Sequence, residues 1–155
     1  IRQSNNVKLL IVGEGPFASK IGKMVQELGL SKIVSLLGKV SEGELYEAYA
    51  RSHIFVLLSS YESHSMAITE AMAFGLVPVA TRVGGNAFLI SDDIDGFLVS
   101  YPVDVNEVES ILNKLINEPT MLKKIGENAR KNASDRFRLD NVVKRLEAVY
   151  QACCS

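Results

Sequence analysis

Short apolar runs alternate with helical patterns along most of the chain, and this alternation constrains the fold more than any other feature. The runs predict buried strands near residues 7–12, 33–37, 54–58, 77–80 and 97–99. The segments between them repeat apolar residues at helical spacing, as in Ile21, Met24, Val25 and Leu28. Strands that are apolar on both faces and alternate with helices predict an α/β fold, with a Rossmann-like parallel sheet covered by helices on both faces.

The composition places the chain among ordinary globular proteins and excludes two other classes. With 155 residues, of which 47% are hydrophobic, the chain is long enough for a single domain that spans residues 1–155. A net charge of −1 provides no basic surface, so no nucleic-acid partner is expected. No apolar stretch approaches the roughly 20 residues that a membrane-spanning helix needs.

The cysteines and the first residue bear on the cellular compartment and on whether the chain is a piece of something longer. Cys153 and Cys154 are adjacent. Neighbouring cysteines cannot cross-link a fold, which is typical of a reducing compartment and predicts a cytoplasmic protein. The chain opens at Ile1 rather than at methionine, so we expect a fragment of a longer protein.

Four loops follow the predicted strands, and in parallel α/β sheets the ligand binds at this edge. They cover residues 13–16, 38–40, 62–65 and 83–86, and three of them are rich in glycine. Glycine either lets a ligand approach the backbone or makes a tight turn, and both interpretations remain open for each loop. The first loop fits a dinucleotide fingerprint, but the next strand ends in Leu37-Gly38-Lys39 without the acidic residue that holds a ribose, so a dinucleotide is not indicated.

The loop after the third strand leads into a predicted helix whose start suits an anion. Ser63 or Ser65 can cap this helix, which leaves the backbone amides of residues 65–67 directed out of its N-terminus. Unpaired amides and the helix dipole attract an anion such as a phosphate.

Two glutamates flank this helix start. Glu70 lies about one and a half turns into the helix, where it could accept hydrogen bonds from a diol such as a ribose. Glu62 precedes the helix and faces whatever extends from the far side of the phosphate. The alternative is that both are solvent-exposed acids, which a helix start also favours.

The residues around the glutamates resemble a family signature. Glu62 and Glu70 form a Glu-x7-Glu motif, followed by Ala71-Met72-Ala73-Phe74-Gly75-Leu76-Val77-Pro78-Val79. This segment resembles the C-terminal, donor-binding domain of family-4 glycosyltransferases, which are retaining enzymes of the GT-B fold. The resemblance covers nearly the whole chain in order, and it includes Leu10-Ile11-Val12-Gly13-Glu14-Gly15-Pro16, Leu37-Gly38-Lys39-Val40, Val83-Gly84-Gly85 and Asp95-Gly96-Phe97-Leu98-Val99.

The resemblance implies roles for individual residues in binding a nucleotide-sugar, such as a UDP- or GDP-sugar. Glu62 is the expected catalytic residue, beside the donor sugar where positive charge develops. Glu70 is expected to bind the ribose hydroxyls, and the amides of Ser65 and Met66 the diphosphate. In the same cleft, Gly38 and Val40 are expected to flank the base. The loop of Gly13 and Gly15 is expected to line this cleft.

Two positions depart from the family pattern. Ser63 stands where the family has a small residue, usually glycine, and His64 stands where it often has an aromatic residue. Both are candidate donor-binding residues. For His64, the alternative is an exposed loop residue without a chemical role.

The resemblance also implies what the chain lacks. A first strand would precede Ile1, and it is expected to lie between the strands at 7–12 and 54–58. Its loop would carry an arginine and a lysine that neutralise the leaving diphosphate. An N-terminal domain would bind the acceptor, which is a glycan, a lipid or a small molecule. The full-length enzyme would be cytoplasmic, with peripheral association at the inner face of the membrane as one option.

No metal or redox cofactor is expected from the resemblance. Residues 92–96 contain an Asp-x-Asp pattern, which binds a metal in the other large glycosyltransferase fold. Here the pattern precedes a short strand, and aspartates are favoured in turns because they bond the nearby backbone, so we predict an acidic turn. Two other functions remain open, namely a nucleotide-sugar epimerase of GT-B-like fold and a non-catalytic nucleotide-sugar binding module.

Overall fold

The computed structural model describes residues 7–153, in which five strands alternate with helices before the chain becomes wholly helical. In chain order the elements are β1 (Leu9–Val12), α1 (Ala18–Glu27), β2 (Val34–Gly38), α2 (Glu42–Ala50), β3 (Ile54–Leu57), α3 (Met66–Ala73), β4 (Val77–Thr81), α4 (Asn86–Leu89), β5 (Phe97–Val99), α5 (Val105–Asn117), α6 (Pro119–Phe137) and α7 (Leu139–Cys153). Every pair of hydrogen-bonded strands is parallel, which confirms the predicted fold class.

The chain divides into two compact units, one up to Arg51 and one from Ser52 onward. In the first unit β1 pairs with β2, with Leu9 opposite Val34. The helix after β2 begins with a capping box, in which the Ser41 side chain and the Glu44 side chain each accept a hydrogen bond from the other residue's backbone N–H.

In the second unit the strand order is β3-β4-β5, and all five residues of the central strand β4 are buried. Side chains from β4 contribute to two apolar clusters. Ala80 belongs to a cluster with residues of α3 and α6, whereas Val77 and Val79 belong to one with residues of α5 and Ile125. Helices therefore cover both faces of this sheet, as burial on both faces of a parallel sheet requires.

A glycine of α6 packs against the chain directly after α3. A Cβ at Gly126 would overlap the carbonyl oxygen of Gly75, at the end of α3. Along the same side of α6, Ile125, Ala129 and Ala133 are buried. Small residues thus let α6 lie directly against α3, the helix that follows β3.

The observed bounds agree with the predicted ones to within two residues for all strands, but three helical features differ. The sequence pattern also predicts helices over 120–133 and 141–150; the first continues to Phe137, and the second spans Leu139–Cys153. The continuation of α6 buries Ala133 and half-buries Phe137, so packing lengthens the helix beyond its local signal. The short α4 was not predicted, because four residues are too few to show a helical period.

The strands form two hydrogen-bonded groups, β1-β2 and β3-β4-β5, instead of one continuous ladder within residues 7–153. The additional strand that the resemblance implies between β1 and β3 is not among the described strands, and it stays a prediction. A search of residues 7–153 finds no helix with the length and apolar character needed to cross a bilayer.

Candidate functional site

The N-terminus of α3 is a helix start with a side-chain cap and open backbone amides. Ser65 is the N-cap: its side chain is buried and accepts a hydrogen bond from the amide of Ile68 at 3.3 Å. Of the two predicted caps, Ser65 is therefore confirmed and Ser63 is wrong, because Ser63 lies two residues earlier in the loop. Within residues 7–153 the amides of Ser65 and Met66 have no hydrogen-bond acceptor, as an anion site requires.

Glu62 is held at the end of β3 by a chain of hydroxyl groups. Ser59 Oγ donates to Glu62 Oε1 at 2.8 Å, and the buried Thr81 Oγ1 donates to the Ser59 carbonyl oxygen at 2.6 Å. The carboxylate is half-buried and lies before the helix start, as predicted. Neither Ser59 nor Thr81 is predicted from the sequence; hydroxyl residues at the ends of two neighbouring parallel strands were the available signal.

The loop of Gly84 and Gly85 contacts the Glu62 loop, which corrects the interpretation that a ligand approaches these glycines. The Gly85 amide donates to the Glu62 carbonyl oxygen at 2.9 Å. A Cβ at Gly84 would overlap that oxygen, and a Cβ at Gly85 would overlap the carbonyl oxygen of Ser63. The space beside both glycines is filled by the backbone of the chain itself.

Glu70 lies in the middle of α3 and is half-buried. It borders a groove of about 350 Å³ between α3 and the last turns of α6. The groove is lined by Thr69, Glu70, Ala73, Arg130, Ala133, Ser134, Phe137 and Arg138. Glu70 and the open end of α3 therefore belong to one helix, with the carboxylate about one turn beyond the unpaired amides.

His64 is exposed on the loop, as in the alternative given for it in the sequence. Its ring nevertheless contacts another side chain. Its imidazole meets the ring of Phe137 edge-on, with the ring centroids 5.9 Å apart and the planes at 72°. The guanidinium of Arg136 lies over the same Phe137 ring, 5.0 Å from its centroid. Phe137 is not predicted as a site residue, because nothing local in the sequence links it to His64.

In the first unit the loops of Gly13 and Gly38 come together. The amide of Gly13 donates to the carbonyl oxygen of Gly38 at 2.8 Å, at the carboxyl ends of β1 and β2. Both glycines have positive φ, of 121° and 65°, and a Cβ at either or at Gly15 would meet nothing within 4 Å. Val40 follows and is half-buried. The prediction that these four residues contact the same ligand as Glu62 stays a prediction.

The acidic segment at 92–96 is a turn, as predicted. Asp92 accepts a hydrogen bond from the amide of Leu98 at 2.9 Å and forms an ion pair with Arg82. Asp95 is buried and accepts from the amide of Ser91 at 2.7 Å and from Asn132 Nδ2 at 2.6 Å. These carboxylates serve to close the turn and to join it to α6.

Comparison with protein families and curated proteins gives consistent results. The model of a family described as glycosyl transferases group 1 matches residues 1–132. The MMP alpha-(1->4)-mannosyltransferase of Mycolicibacterium hassiacum is 30% identical over 151 residues, and the N-acetyl-alpha-D-glucosaminyl L-malate synthase of Bacillus anthracis is 32% identical over 145 residues. These matches cover 97% and 94% of this chain but 37% of each relative. The chain thus spans little more than a third of their length.

Solved structures show the same fold. Anabaena Alr3699/HepE in complex with UDP-glucose superposes with a TM-score of 0.83 at 24% identity, covering 97% of this chain and 42% of that one. The C-terminal domain of a group 1 family protein, LpcC from Francisella tularensis, gives a TM-score of 0.81 at 24% identity, covering 89% of this chain and 73% of that one. At this level of identity the likeness establishes the architecture.

Proposed function

This chain belongs to the group 1 glycosyl transferases, and we propose that it forms the donor-binding part of a longer enzyme that transfers a sugar, with retention of configuration, from a nucleotide-sugar to an acceptor. One observation carries the proposal. The open N-terminus of α3 lies between two carboxylates, with Glu62 before it and Glu70 one turn after it. This arrangement offers a separate contact to each part of a nucleotide-sugar.

The diphosphate is proposed to bind at the start of α3. The unpaired amides of Ser65 and Met66 point toward an anion, and the positive end of the helix dipole favours one. When the glycosidic bond breaks, the departing diphosphate takes the bonding electron pair and gains negative charge. Donors that are fixed before the reaction stabilise that charge without reorganising.

Glu62 is proposed to be the catalytic residue. The bond from the sugar to the diphosphate breaks as positive charge develops at the anomeric carbon, which a neighbouring carboxylate stabilises. The hydrogen bond from Ser59 holds the Glu62 carboxylate in one position. A group fixed in this way acts mainly on the transition state, and therefore on the turnover number.

Glu70 is proposed to accept hydrogen bonds from the ribose hydroxyls, and a UDP-sugar is the donor to test first. UDP-glucose is bound in the HepE structure, which shares the architecture of this chain. Ser63 and His64 are proposed to contact the donor from the loop before α3, and Gly13, Gly15, Gly38 and Val40 to contact its base. We propose no metal and no redox cofactor. The amides of Ser65 and Met66, together with basic residues outside this chain, would neutralise the diphosphate.

The remaining parts of the proposal concern the full-length protein. The acceptor would bind mainly to an N-terminal domain outside this chain, since the curated relatives are more than twice as long. The protein would work in the cytoplasm, at the inner face of the membrane if its acceptor is a lipid.

The division of labour between the two glutamates provides the test. In the full-length protein, Glu70→Ala should weaken binding of UDP, which has a ribose but no sugar, and should raise the donor KM. Glu62→Ala should leave UDP affinity nearly unchanged and lower kcat about a hundredfold or more, the size expected for an electrostatic stabiliser worth roughly 3 kcal/mol. Glu109→Ala, an exposed acid on α5, is the matched control and should change neither.

Calorimetry with UDP and steady-state kinetics with a UDP-sugar measure these quantities. Equal losses from both substitutions would refute the separate roles of the two glutamates. UDP binding at wild-type strength without any sugar transfer would support a non-catalytic binding module instead. If neither substitution has an effect, the glutamates are simply acids at a helix start.

A further inference from the structure

Phe137, the last residue of α6, touches the loop that carries Glu62, and we infer that it is a positioning residue for this loop. Its ring contacts His64 edge-on at a centroid distance of 5.9 Å. The inference rests on the proposed function of Glu62, because its consequence for catalysis is the placement of that carboxylate. It assigns a role in the site to a residue that lies outside the Glu-x7-Glu segment.

The loop is fixed at its two ends by other contacts. At its start the Glu62 carbonyl oxygen accepts from the Gly85 amide, and at its end Ser65 is buried as the cap of α3. Between these points Ser63 and His64 are exposed, and neither side chain has a hydrogen-bond partner among residues 7–153. The backbone of Gly85 packs against the Ser63 carbonyl, and the contact with Phe137 adds a restraint on the side chain of His64 in the middle of the loop.

Phe137 is itself firmly held. Its half-buried ring packs against the apolar cluster of α3, β4 and α6, and the guanidinium of Arg136 lies over it. Arg136 also donates to the carbonyl oxygen of Phe88 at 2.6 Å. One turn earlier on α6, Asn132 donates to the Leu89 carbonyl oxygen at 3.2 Å. The end of α6 is thus anchored to α4, and an anchored ring can restrain the loop.

The two parts of the site should respond differently when this ring is removed. The amides of Ser65 and Met66 belong to the start of α3, and the Ser65 cap and the packing of that helix hold them in place. Glu62 depends on the conformation of the loop. Loss of the ring should therefore lower kcat and leave UDP affinity nearly unchanged, whereas general damage to the fold would lower both.

The experiment compares four variants of the full-length protein with the wild type. Phe137→Leu should lower kcat about threefold to tenfold, the range that one edge-to-face ring contact provides, while UDP affinity stays within about twofold. Phe137→Tyr keeps the ring and should retain wild-type kcat. Phe88→Leu removes an exposed ring but keeps the carbonyl oxygen that Arg136 uses, so it is the matched control and should have no effect.

The fourth variant, His64→Ala, makes the test independent of whether Phe137→Leu folds, because His64 lies on the exposed loop. It should lower kcat at least as much as Phe137→Leu does, because His64 is also proposed to contact the donor. Adding Phe137→Leu to His64→Ala should cause no further loss of kcat, since the ring contact is already absent. Additive losses, or equal kcat for Phe137→Leu and Phe88→Leu, would overturn the inference.

A spectroscopic measurement separates failure of this inference from failure of the proposed function. The carbon-bound imidazole protons of His64, assigned by comparison with His64→Gln, should show a ring-current shift that Phe137→Leu abolishes and Phe88→Leu retains. If this shift is absent, the inference is wrong even where UDP binds. If the shift is present and UDP fails to bind the wild-type protein, the proposed function fails while the contact stands.

Discussion

Two segments of this molecule share the order strand, loop and helix, but their loops differ in sequence and their helices begin differently. The first, β1 to α1, has the more conspicuous glycine motif, yet α1 has no side-chain cap and no buried residue. The second, β3 to α3, has no glycine in its loop, yet Ser65 caps a helix in which Ile68, Ala71 and Met72 are buried. The proposed anion site therefore lies at the capped and packed helix start, and a glycine motif is not what marks it.

Capping alone does not provide an anion site either, as α2 demonstrates. In its capping box the carboxylate of Glu44 accepts from the backbone amide of Ser41 at 2.8 Å. The chain thus supplies its own anion at that helix start. In α3 the corresponding third position is Ile68, which offers no carboxylate, so the amide of Ser65 stays open to a ligand.

Two glycine substitutions should break the comparison most strongly, one at Gly15 in the loop of the first segment and one at Gly84, which packs against the loop of the second. Gly84→Ala would place a Cβ on the Glu62 carbonyl oxygen, at a residue with a φ of +47°, and should lower the free energy of unfolding by at least about 2 kcal/mol. Gly15→Ala adds a Cβ with nothing within 4 Å and should change it by less than about 0.5 kcal/mol.

Thermal or urea unfolding of the two glycine variants measures these differences. Equal destabilisation by both substitutions would mean that the Glu62 loop yields to a side chain, contrary to the close packing described above. It would also remove the structural distinction between the two segments.

Removing the cap of α3 should have an intermediate effect. Ser65→Ala leaves the amide of Ile68 without its side-chain acceptor and should lower the free energy of unfolding by about 1 kcal/mol. Ser63→Ala, in the exposed part of the same loop, is the matched control and should change stability by less than about 0.5 kcal/mol. Urea unfolding of both variants measures the difference. A larger loss of unfolding free energy from Ser63→Ala than from Ser65→Ala would identify Ser63 as the cap instead.

The smallest expected effect is a pH dependence at α2. Hydrogen bonds from the backbone and side chain of Ser41 lower the pKa of Glu44 below its ordinary value of 4.5. Because the folded-state pKa is lowered, the stabilisation is fully present above pH 4.5 and is lost as the pH falls through the lowered value. Glu44→Gln should therefore reduce the loss of stability on acidification, measured by unfolding at neutral and acidic pH. An unchanged pH dependence would contradict this.

Much of the fold and half of the site could be predicted from the sequence, since both depend on local patterns. Apolar runs located the five described strands, and helical spacing located most of the helices between them. The positions of Glu62 and of the Ser65 cap followed from the end of β3 and from the capping preference of serine. What occupies the space beside a glycine could not be predicted. At Gly84 this space is occupied by the backbone of Glu62, which tertiary packing brings there.

The support around Glu62 was equally inaccessible to local reasoning. Thr81 reaches Ser59 because β3 and β4 are neighbours in the sheet, and Phe137 reaches His64 because α6 lies along α3. Such contacts join residues from distant segments, and no spacing in the sequence records them.

The close approach at Gly126 affects how such a domain can acquire new specificity. With no side chain between them at that point, α3 and α6 form one closely packed body, and a substitution that alters their spacing disturbs both together. Positions 63 and 64 lie on the exposed loop outside this body. Laboratory evolution toward a different donor should therefore accumulate its accepted changes in that short loop and leave the two helices unaltered.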